Sequence, residues 1–215
     1  MIREKIKAIK QSLATAKLVV VSKHRSIEEL QEVYEAGERC FAENRVQELL
    51  KKAPLLPSDV EWHLIGHLQT NKVKQILPLV SLIHSVDRVS LLDAIEKEAS
   101  KLDRTISVLL QVHLAQEESK FGFNPGELVT LIKSGGLNKY AHIRFTGVMC
   151  MASFVENSEI IRAEFEKCKE IFTTIQPFMP DPKIFIERSM GMSSDYQIAL
   201  KSGATMVRIG SKIFA

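Results

Sequence analysis

The sequence predicts an α/β protein, a (β/α)₈ TIM barrel that forms a single domain over residues 1–215 with an extra N-terminal helix. The chain has 215 residues, a length that suits one α/β barrel. Eight short apolar runs alternate with helical patterns, and strands that alternate with helices predict a parallel sheet. Eight such units close most naturally into a barrel. A doubly wound open sheet is the runner-up, but the sequence contains no G-x-G-x-x-G motif to support it.

The first elements show how the alternation begins. Ile2–Ala16 spaces its apolar residues at three- and four-residue steps, which is typical of one helix face. Leu18–Val21 is rich in β-branched residues and too short for a helix, so it indicates a strand buried on both faces. Ser26, followed three residues later by Glu29, forms a capping-box pattern that begins a helix ending at Ala36.

The same alternation continues along the rest of the chain. The other predicted strands are Arg39–Ala42, Glu61–Gly66, Ser81–Ser85, Thr105–His113, Ile143–Cys150, Lys183–Glu187 and Thr205–Ile209. The helices predicted between them are Val46–Lys52, Asn71–Leu77, Val89–Lys101, Pro125–Ser134, Ser158–Gln176 and Ser194–Lys201. No long linker, internal repeat or second domain is indicated.

Composition and charge exclude several functional classes. The chain has 45% hydrophobic and 26% charged residues, which excludes intrinsic disorder. The net charge of +3 is weak evidence for nucleic acid, and the basic stretch Asn71–Lys74 lacks aromatic residues for base stacking, so we expect no nucleic-acid partner. Cys40, Cys150 and Cys168 are too widely spaced for a disulfide framework or a zinc pattern and indicate a reducing compartment. Without a signal peptide or a bilayer-spanning apolar run, we expect a cytoplasmic protein with no membrane partner.

In a barrel the active site lies at the carboxyl ends of the strands. Lys23 follows the first strand and shares parity with Val19 and Val21, so it is expected to point inward above an apolar column. An amine held there would lose hydration and become a better nucleophile. The alternative is a surface lysine that extends into solvent beside Arg25.

The loops after strands seven and eight form the usual phosphate site of such barrels. The first loop offers Gly191, Ser193 and Ser194, which we expect to open a short helix whose amides favour an anion. The second offers Gly210 for close backbone approach and Ser211 as a hydroxyl donor. Each feature alone is compatible with an ordinary cap or turn, but together they favour a phosphate.

Three further positions carry candidate polar groups, namely Arg208, His63 and His67. Arg208 shares parity with Met206 and should point inward, where a buried arginine needs a partner, either a carboxylate such as Glu187 or a ligand atom. His63 and His67 imitate the spacing of a helical zinc pair, but the segment is predicted as a strand and lacks the glutamate, so no metal is expected. We expect His67 to contact a ligand and His63 to be a hydrogen-bonded core residue.

Taken together, these residues resemble one protein family over nearly the whole chain. The matching segments are Val21-Ser22-Lys23, Phe41-Ala42-Glu43-Asn44, Trp62 to Lys72 with its I-G-H-L-Q-x-N-K block, Ile83 to Asp87, Glu118 to Phe123, Ser189-Met190-Gly191-Met192-Ser193 and Met206 to Gly210. The chain resembles the YggS/PROSC-type pyridoxal 5′-phosphate (PLP) homeostasis proteins, which are similar to the N-terminal domain of alanine racemase.

The resemblance implies a cofactor and assigns residues to it. PLP would form a Schiff base with Lys23. Ser193, Gly210 and Ser211 would hold the phosphate, and Arg208 would face the pyridine nitrogen. The remaining implied contacts near the ring are Asn44 and His67.

The resemblance also implies what the protein does with its cofactor. It would carry PLP and act in intracellular PLP homeostasis without robust catalysis, so we expect a non-enzyme. Its partners would be PLP and the apo-enzymes that depend on it, and we expect a monomer. Two alternatives stay open, a PLP-dependent amino-acid racemase or decarboxylase and a cofactor-free phosphosugar enzyme. We expect slow chemistry at best, because alanine racemase uses an acid–base tyrosine from another domain, for which this chain leaves no residues after strand eight.

Overall fold

The structure is a computed structural model that describes residues 1–114 and 121–215. The strands are β1 (Lys17–Val21), β2 (Cys40–Glu43), β3 (Glu61–Leu64), β4 (Val80–Val86), β5 (Ile106–Gln111), β6 (Ile143–Met149), β7 (Glu187–Met192) and β8 (Met206–Ile209). The α-helices are α1 (Ile2–Ser12), α2 (Ile27–Glu35), α3 (Val46–Lys52), α4 (Val73–Ile76), α5 (Val89–Lys101), α6 (Pro125–Lys133), α7 (Ser158–Ile175), α8 (Tyr196–Lys201) and α9 (Ser211–Phe214). Short 3₁₀ turns cover 53–55, 70–72 and 176–178.

The eight strands form a closed parallel barrel, as the sequence predicts. Each strand pairs with the next one along the chain, and β8 returns to pair with β1, with Val19 opposite Arg208. A helix follows every strand, and α1 precedes the barrel as the predicted extra helix. All carboxyl ends of the strands therefore meet at one mouth.

Alternate residues of each strand supply two separate cores. The barrel interior is filled by the apolar side chains of Val19, Cys40, Ala42, Leu82, Leu109, Met149 and Met206. The other strand faces pack against the helices, and Val20, Phe41, Ile83 and Val207 are all fully buried there. Burial on both faces explains why the strands read as continuous apolar runs in the sequence.

The helix signals of the sequence are confirmed in detail. Ser26 accepts from the backbone N–H of Glu29, and the Glu29 side chain accepts from the Ser26 backbone N–H, which completes the predicted capping box. Asn124 caps α6, with Pro125 in the first turn. The helix predicted at 71–77 is instead a 3₁₀ turn followed by the single-turn helix α4.

The seventh strand is the largest error of the sequence prediction. It was expected at Lys183–Glu187, but β7 begins at Glu187 and runs through Gly191 to Met192. Phe185 is instead fully buried against α7, where its ring stacks on Phe172 with 5.2 Å between the ring centroids. Phe185 therefore packs in the outer core although it lies before β7, whereas Ile186 beside it is exposed. The strand itself contains a glycine and a serine, which are typical of loops.

None of the helices within residues 1–114 and 121–215 combines the length and the apolar character needed to cross a membrane.

Candidate cofactor site at the barrel mouth

One cavity of about 600 Å³ opens at the carboxyl ends of the strands. It is lined by every residue that the sequence assigned to the cofactor, namely Lys23, Asn44, His67, Ser193, Arg208, Gly210 and Ser211. These residues come from five different strand ends and from both halves of the chain. The closed barrel is what brings them together.

Lys23 lies in the turn directly after β1. Val19 fills the barrel interior below it, and Val21 and Lys23 both line the cavity, so the inward direction predicted from parity is confirmed. The Lys23 side chain is nevertheless exposed. The expectation that its amine loses hydration at the top of an apolar column is therefore wrong, because the mouth is open to water at this position.

The backbone before Lys23 is held by a buried ion pair. Glu43 is fully buried at the end of β2, and its Oε1 accepts from Lys52 Nζ at 2.7 Å and from Ser22 Oγ at 2.7 Å. Lys52 Nζ also donates to the Ser22 carbonyl oxygen at 2.8 Å, and the Ser22 amide donates to Ala42 at 2.9 Å. We call Ser22, Glu43 and Lys52 the lysine clamp. It fixes the chain direction from which Lys23 enters the cavity.

Asn44 is placed by close packing of two strand ends. A Cβ atom on Gly66 would lie 1.9 Å from the Asn44 carbonyl oxygen, so only a glycine allows the chain after β3 to pass this close. Both residues line the cavity.

His67 is oriented from two sides. Its Nδ1 lies 3.0 Å from Asp87 Oδ2, and its ring stacks on Phe121 with 3.8 Å between the ring centroids. Asp87 is buried at the end of β4, so it holds a partly exposed imidazole against the cavity wall. Because Nδ1 is bonded to the Asp87 carboxylate, Nε2 is the ring nitrogen that remains for a ligand.

The predicted phosphate loops meet at the mouth. The Gly210 amide donates to Ser193 Oγ at 3.3 Å, which joins the loops after β7 and β8. A Cβ atom on Gly210 would lie 2.9 Å from the Val21 carbonyl oxygen, so the glycine allows close approach to β1. Ser193 does not begin a helix, however, because α8 begins at Tyr196, and that part of the prediction is wrong.

Arg208 lies inside the barrel and is 3% exposed. One terminal nitrogen donates to the Ser189 carbonyl oxygen at 2.7 Å and to Ser189 Oγ at 2.6 Å, and the other donates to the Cys150 carbonyl oxygen at 2.8 Å. Glu187, the carboxylate suggested as one possible partner of Arg208, does not bond to it. Glu187 lies at the start of β7 and accepts from Thr205. Burial lowers the pKa of Arg208, but a guanidinium stays charged in proteins.

Several cavity residues were missed at the sequence level. Gln111 ends β5, and its amide donates to the Phe121 carbonyl oxygen at 2.7 Å, which ties the far wall of the cavity together. Phe121 and the exposed Phe154 form apolar parts of the rim. The predicted fifth strand extended to His113, so it hid the strand end at Gln111. Glu118, Ser119 and Lys120 of the matching segment lie outside the described residues.

Comparisons with known proteins agree with this architecture. The family described as "Alanine racemase, N-terminal domain" matches residues 1–215. The pyridoxal phosphate homeostasis protein of Aquifex aeolicus is 40% identical over 201 residues, which cover 93% of this chain and 86% of that protein. The protein of the same name from Schizosaccharomyces pombe is 37% identical over 92% of this chain and 82% of its own length.

The chain belongs to the family of pyridoxal phosphate homeostasis proteins. Two solved structures of PipY from Synechococcus elongatus extend the likeness to three dimensions. Each is 32% identical to this chain over 100% of both chains, with a TM-score of 0.93 for PipY without PLP and 0.91 for PipY with PLP bound. Alanine racemase from Bartonella henselae, at 15% identity and a TM-score of 0.77 over 99% of this chain and 58% of its own, shares the fold alone.

Proposed function

We propose that this protein binds PLP covalently on Lys23 at the barrel mouth and serves as a carrier in PLP homeostasis rather than as an enzyme. The observation that carries the proposal is the convergence of an amine, an arginine and a two-loop glycine–serine cradle on one cavity. Relatives that cover most of the chain are named for PLP homeostasis, and PipY has been solved with PLP bound.

The residues present fit the cofactor. A guanidinium has five N–H donors, and three of those on Arg208 are used by Ser189 and Cys150. Arg208 also lines the cavity, so its remaining N–H groups can bond to a ligand there. The pyridine nitrogen of PLP is an acceptor that one of these groups can reach.

Each side chain then has a physical task. Lys23 would hold the cofactor through Nζ, by condensation with its aldehyde and loss of water. Ser193, Gly210 and Ser211 would offer hydroxyl and backbone donors to the phosphate. His67 and Asn44 would lie near the ring. When bound, the cofactor supplies a reactive aldehyde and an electron-accepting ring.

The decisive test of the proposed function is borohydride reduction of the protein with PLP. We expect reduction to attach the cofactor mass irreversibly to the peptide that contains Lys23, as read by peptide mass spectrometry. Lys23→Ala should abolish both the label and the yellow colour. The matched control is Lys72→Ala, which changes a partly exposed lysine outside the cavity. A label on another lysine, with none on Lys23, would overturn the assignment.

The carrier role rests on what the cavity lacks. The three tyrosines of the chain have their hydroxyls beside Asp59, Asp93 and Ser12, and among the described cavity residues there is no tyrosine. General acid–base assistance is typically worth about 10²–10⁴-fold in rate. Arg208 also keeps the ring nitrogen from gaining a proton, which weakens the ring as an electron sink.

We therefore expect little or no turnover of amino acids. The measurement is chiral analysis of alanine, serine and other amino acids after long incubation with the PLP-saturated protein. A turnover of about 1 s⁻¹ or more, the low end for ordinary enzymes, would contradict the carrier role and favour the racemase alternative. As a carrier, the protein would act in the cytoplasm as a monomer and supply PLP to apo-enzymes that depend on it.

A further inference from the structure

A row of polar side chains crosses the apolar barrel interior beneath the cavity. Its members are Cys40 on β2, His63 on β3, His84 on β4, Ser189 on β7 and Arg208 on β8. All five are at least nine-tenths buried, and His84 and Ser189 are fully buried. Such groups are costly inside a core unless they bond to one another. We call this row the polar column.

The contacts of the polar column are continuous. Arg208 donates to Ser189 Oγ at 2.6 Å, and Ser189 Oγ lies 3.0 Å from His84 Nδ1. His84 Nε2 lies 2.9 Å from His63 Nδ1, and the His63 ring nitrogens lie 3.6 Å from Cys40 Sγ. The column therefore joins the cofactor cavity to the opposite end of the barrel.

The direction of every bond follows from Arg208. A guanidinium can only donate, so Ser189 Oγ accepts from it. The hydroxyl hydrogen of Ser189 then needs an acceptor, and within the described part of the chain that acceptor is His84 Nδ1. With Nδ1 accepting, the single proton of a neutral His84 must lie on Nε2, from which it donates to His63 Nδ1.

Both histidines hold only one proton each. Burial lowers the pKa of His63 to about 3. Burial, His63 and the nearby Arg208 lower the pKa of His84 well below its usual range. Since His63 Nδ1 accepts from His84, the proton of the neutral His63 also lies on Nε2. Cys40 Sγ lies 3.6 Å from both ring nitrogens of His63, and burial raises the pKa of its thiol to about 12.

We propose that Ser189, His84 and His63 are positioning residues, which form a one-directional hydrogen-bond column from Arg208 to His63 and hold the guanidinium towards the cofactor ring. This inference rests on the proposed function. Ser189 receives two bonds from one Arg208 nitrogen, and His84 fixes the Ser189 hydroxyl that receives one of them. The guanidinium plane is thereby set, so that an N–H group not bonded to Ser189 or Cys150 can point to the ring nitrogen.

The far end of the column suggests a competing interpretation. Atoms of Cys40, Glu61 and His63 lie within 4.8 Å of one another, which is compatible with a metal ion. A metal would require a lone pair on His63 Nε2, and this would reverse the column. The ammonium of Lys17 already bonds Glu61 at 2.6 Å, which opposes a second cation there.

The first test needs no cofactor. Nitrogen-15 NMR of the histidine rings in the full chain should show His63 and His84 as neutral rings that carry the proton on Nε2. Adding one equivalent of zinc chloride should leave both signals unchanged. A proton on Nδ1 of either ring, or zinc coordination by His63, would overturn the directed column.

The second test asks whether the column positions Arg208. Ser189→Ala removes one acceptor from Arg208 and should weaken PLP binding roughly tenfold. It should hardly affect binding of the deaza analogue of PLP, in which carbon replaces the ring nitrogen. The matched control is Ser202→Ala, which removes a buried hydroxyl that has no hydrogen-bond partner within the described residues.

The outcomes separate this inference from the proposed function. Equal losses for PLP and its deaza analogue would overturn the positioning role. If the unaltered protein bound neither compound, the proposed function would fail together with that role, while the NMR spectrum would still decide the direction of the column. If Ser189→Ala does not fold, the NMR tautomers of the unaltered protein remain the deciding measurement.

Discussion

Lys23 follows Ser22, which is fully buried and donates its hydroxyl hydrogen to Glu43 Oε1, with the Ala42 carbonyl oxygen also within hydrogen-bond distance. The lysine clamp thus constrains the backbone, while the Lys23 side chain stays exposed at the mouth. An exposed amine remains accessible to an aldehyde, and a fixed backbone keeps it within reach. The residue held most firmly is therefore Ser22, one position before the proposed Schiff-base lysine.

This arrangement predicts a difference between two ligands. Ser22→Ala should weaken binding of PLP more than binding of pyridoxine 5′-phosphate, which has no aldehyde and cannot react with Lys23. A lost buried hydrogen bond costs about 1 kcal/mol, which corresponds to about a fivefold weaker affinity. Fluorescence titration measures both constants. Ser81→Ala, which removes a bond to the Trp62 carbonyl at the other end of the barrel, is the control, and equal losses for both ligands would show that the clamp does not position Lys23.

The predictable part of the site has a simple physical origin. Lys23, Asn44 and His67 follow strand ends, and barrel geometry sends strand ends to one mouth. The partners of Arg208 were not predictable, because its acceptors are two carbonyl oxygens and a serine hydroxyl, and local sequence carries no signal for such contacts. His84 was missed because a polar residue inside a strand gives no indication of what lies across the barrel.

Among the elements, neighbouring strands approach so closely that glycines are required. A Cβ atom on Gly66 would lie 1.9 Å from the Asn44 carbonyl oxygen at the mouth. A Cβ atom on Gly147 would lie 1.9 Å from the Glu187 carbonyl oxygen, where β7 begins. The two positions are equally crowded but lie at different distances from the cavity.

Alanine substitutions at these two glycines give a matched pair of variants. Gly66→Ala and Gly147→Ala should each lower the free energy of unfolding by about 1–3 kcal/mol, because each forces strands apart. Urea denaturation measures this loss. Only Gly66→Ala should weaken PLP binding by the folded protein, since it displaces Asn44 in the cavity wall. Equal affinities in the two variants would show that the position of Asn44 is unimportant for the cofactor.

Element prediction succeeded where hydrophobic pattern and capping agreed. Helix α2 combines a capping box with an amphipathic pattern, and its bounds match the prediction within one residue. Strand β7 failed because Gly191 adopts φ +88° within it and is pressed against Tyr196 of α8. Glycine is the residue expected where the backbone is left-handed, so the sequence indicates a turn at Gly191 and not a strand. The packing of α8 on β7 is what requires a glycine here.

For the molecule as a whole, the two neutral buried histidines predict sensitivity to acid. The folded-state pKa of His63 is about 3, below the ordinary value of 6.5 that applies when the chain is unfolded, and that of His84 is lowered in the same direction. The unfolded chain therefore binds more protons in this window. The stability that the neutral histidines contribute is fully present above pH 6.5 and is lost as the pH falls towards 3.

We expect the free energy of unfolding to fall by roughly 1 kcal/mol per pH unit for each histidine below pH 6.5. Urea denaturation between pH 6.5 and 5 measures this slope before most carboxylates titrate. His24→Asn is the control, because His24 is exposed and asparagine tolerates its φ of +61°. A constant free energy across this window would mean that the native histidines are charged.

The pairing of β8 with β1 has a consequence for synthesis on the ribosome. Lys23 leaves the exit tunnel early, whereas Arg208 and Gly210 follow after nearly the whole chain has been translated. Val19 cannot meet Arg208 until β8 closes the ring, and domains generally fold as units. A nascent chain therefore displays the lysine without the arginine or the phosphate cradle. We therefore expect an unfinished chain to hold the cofactor only weakly, because the groups proposed to bind its phosphate and its ring are not yet in place.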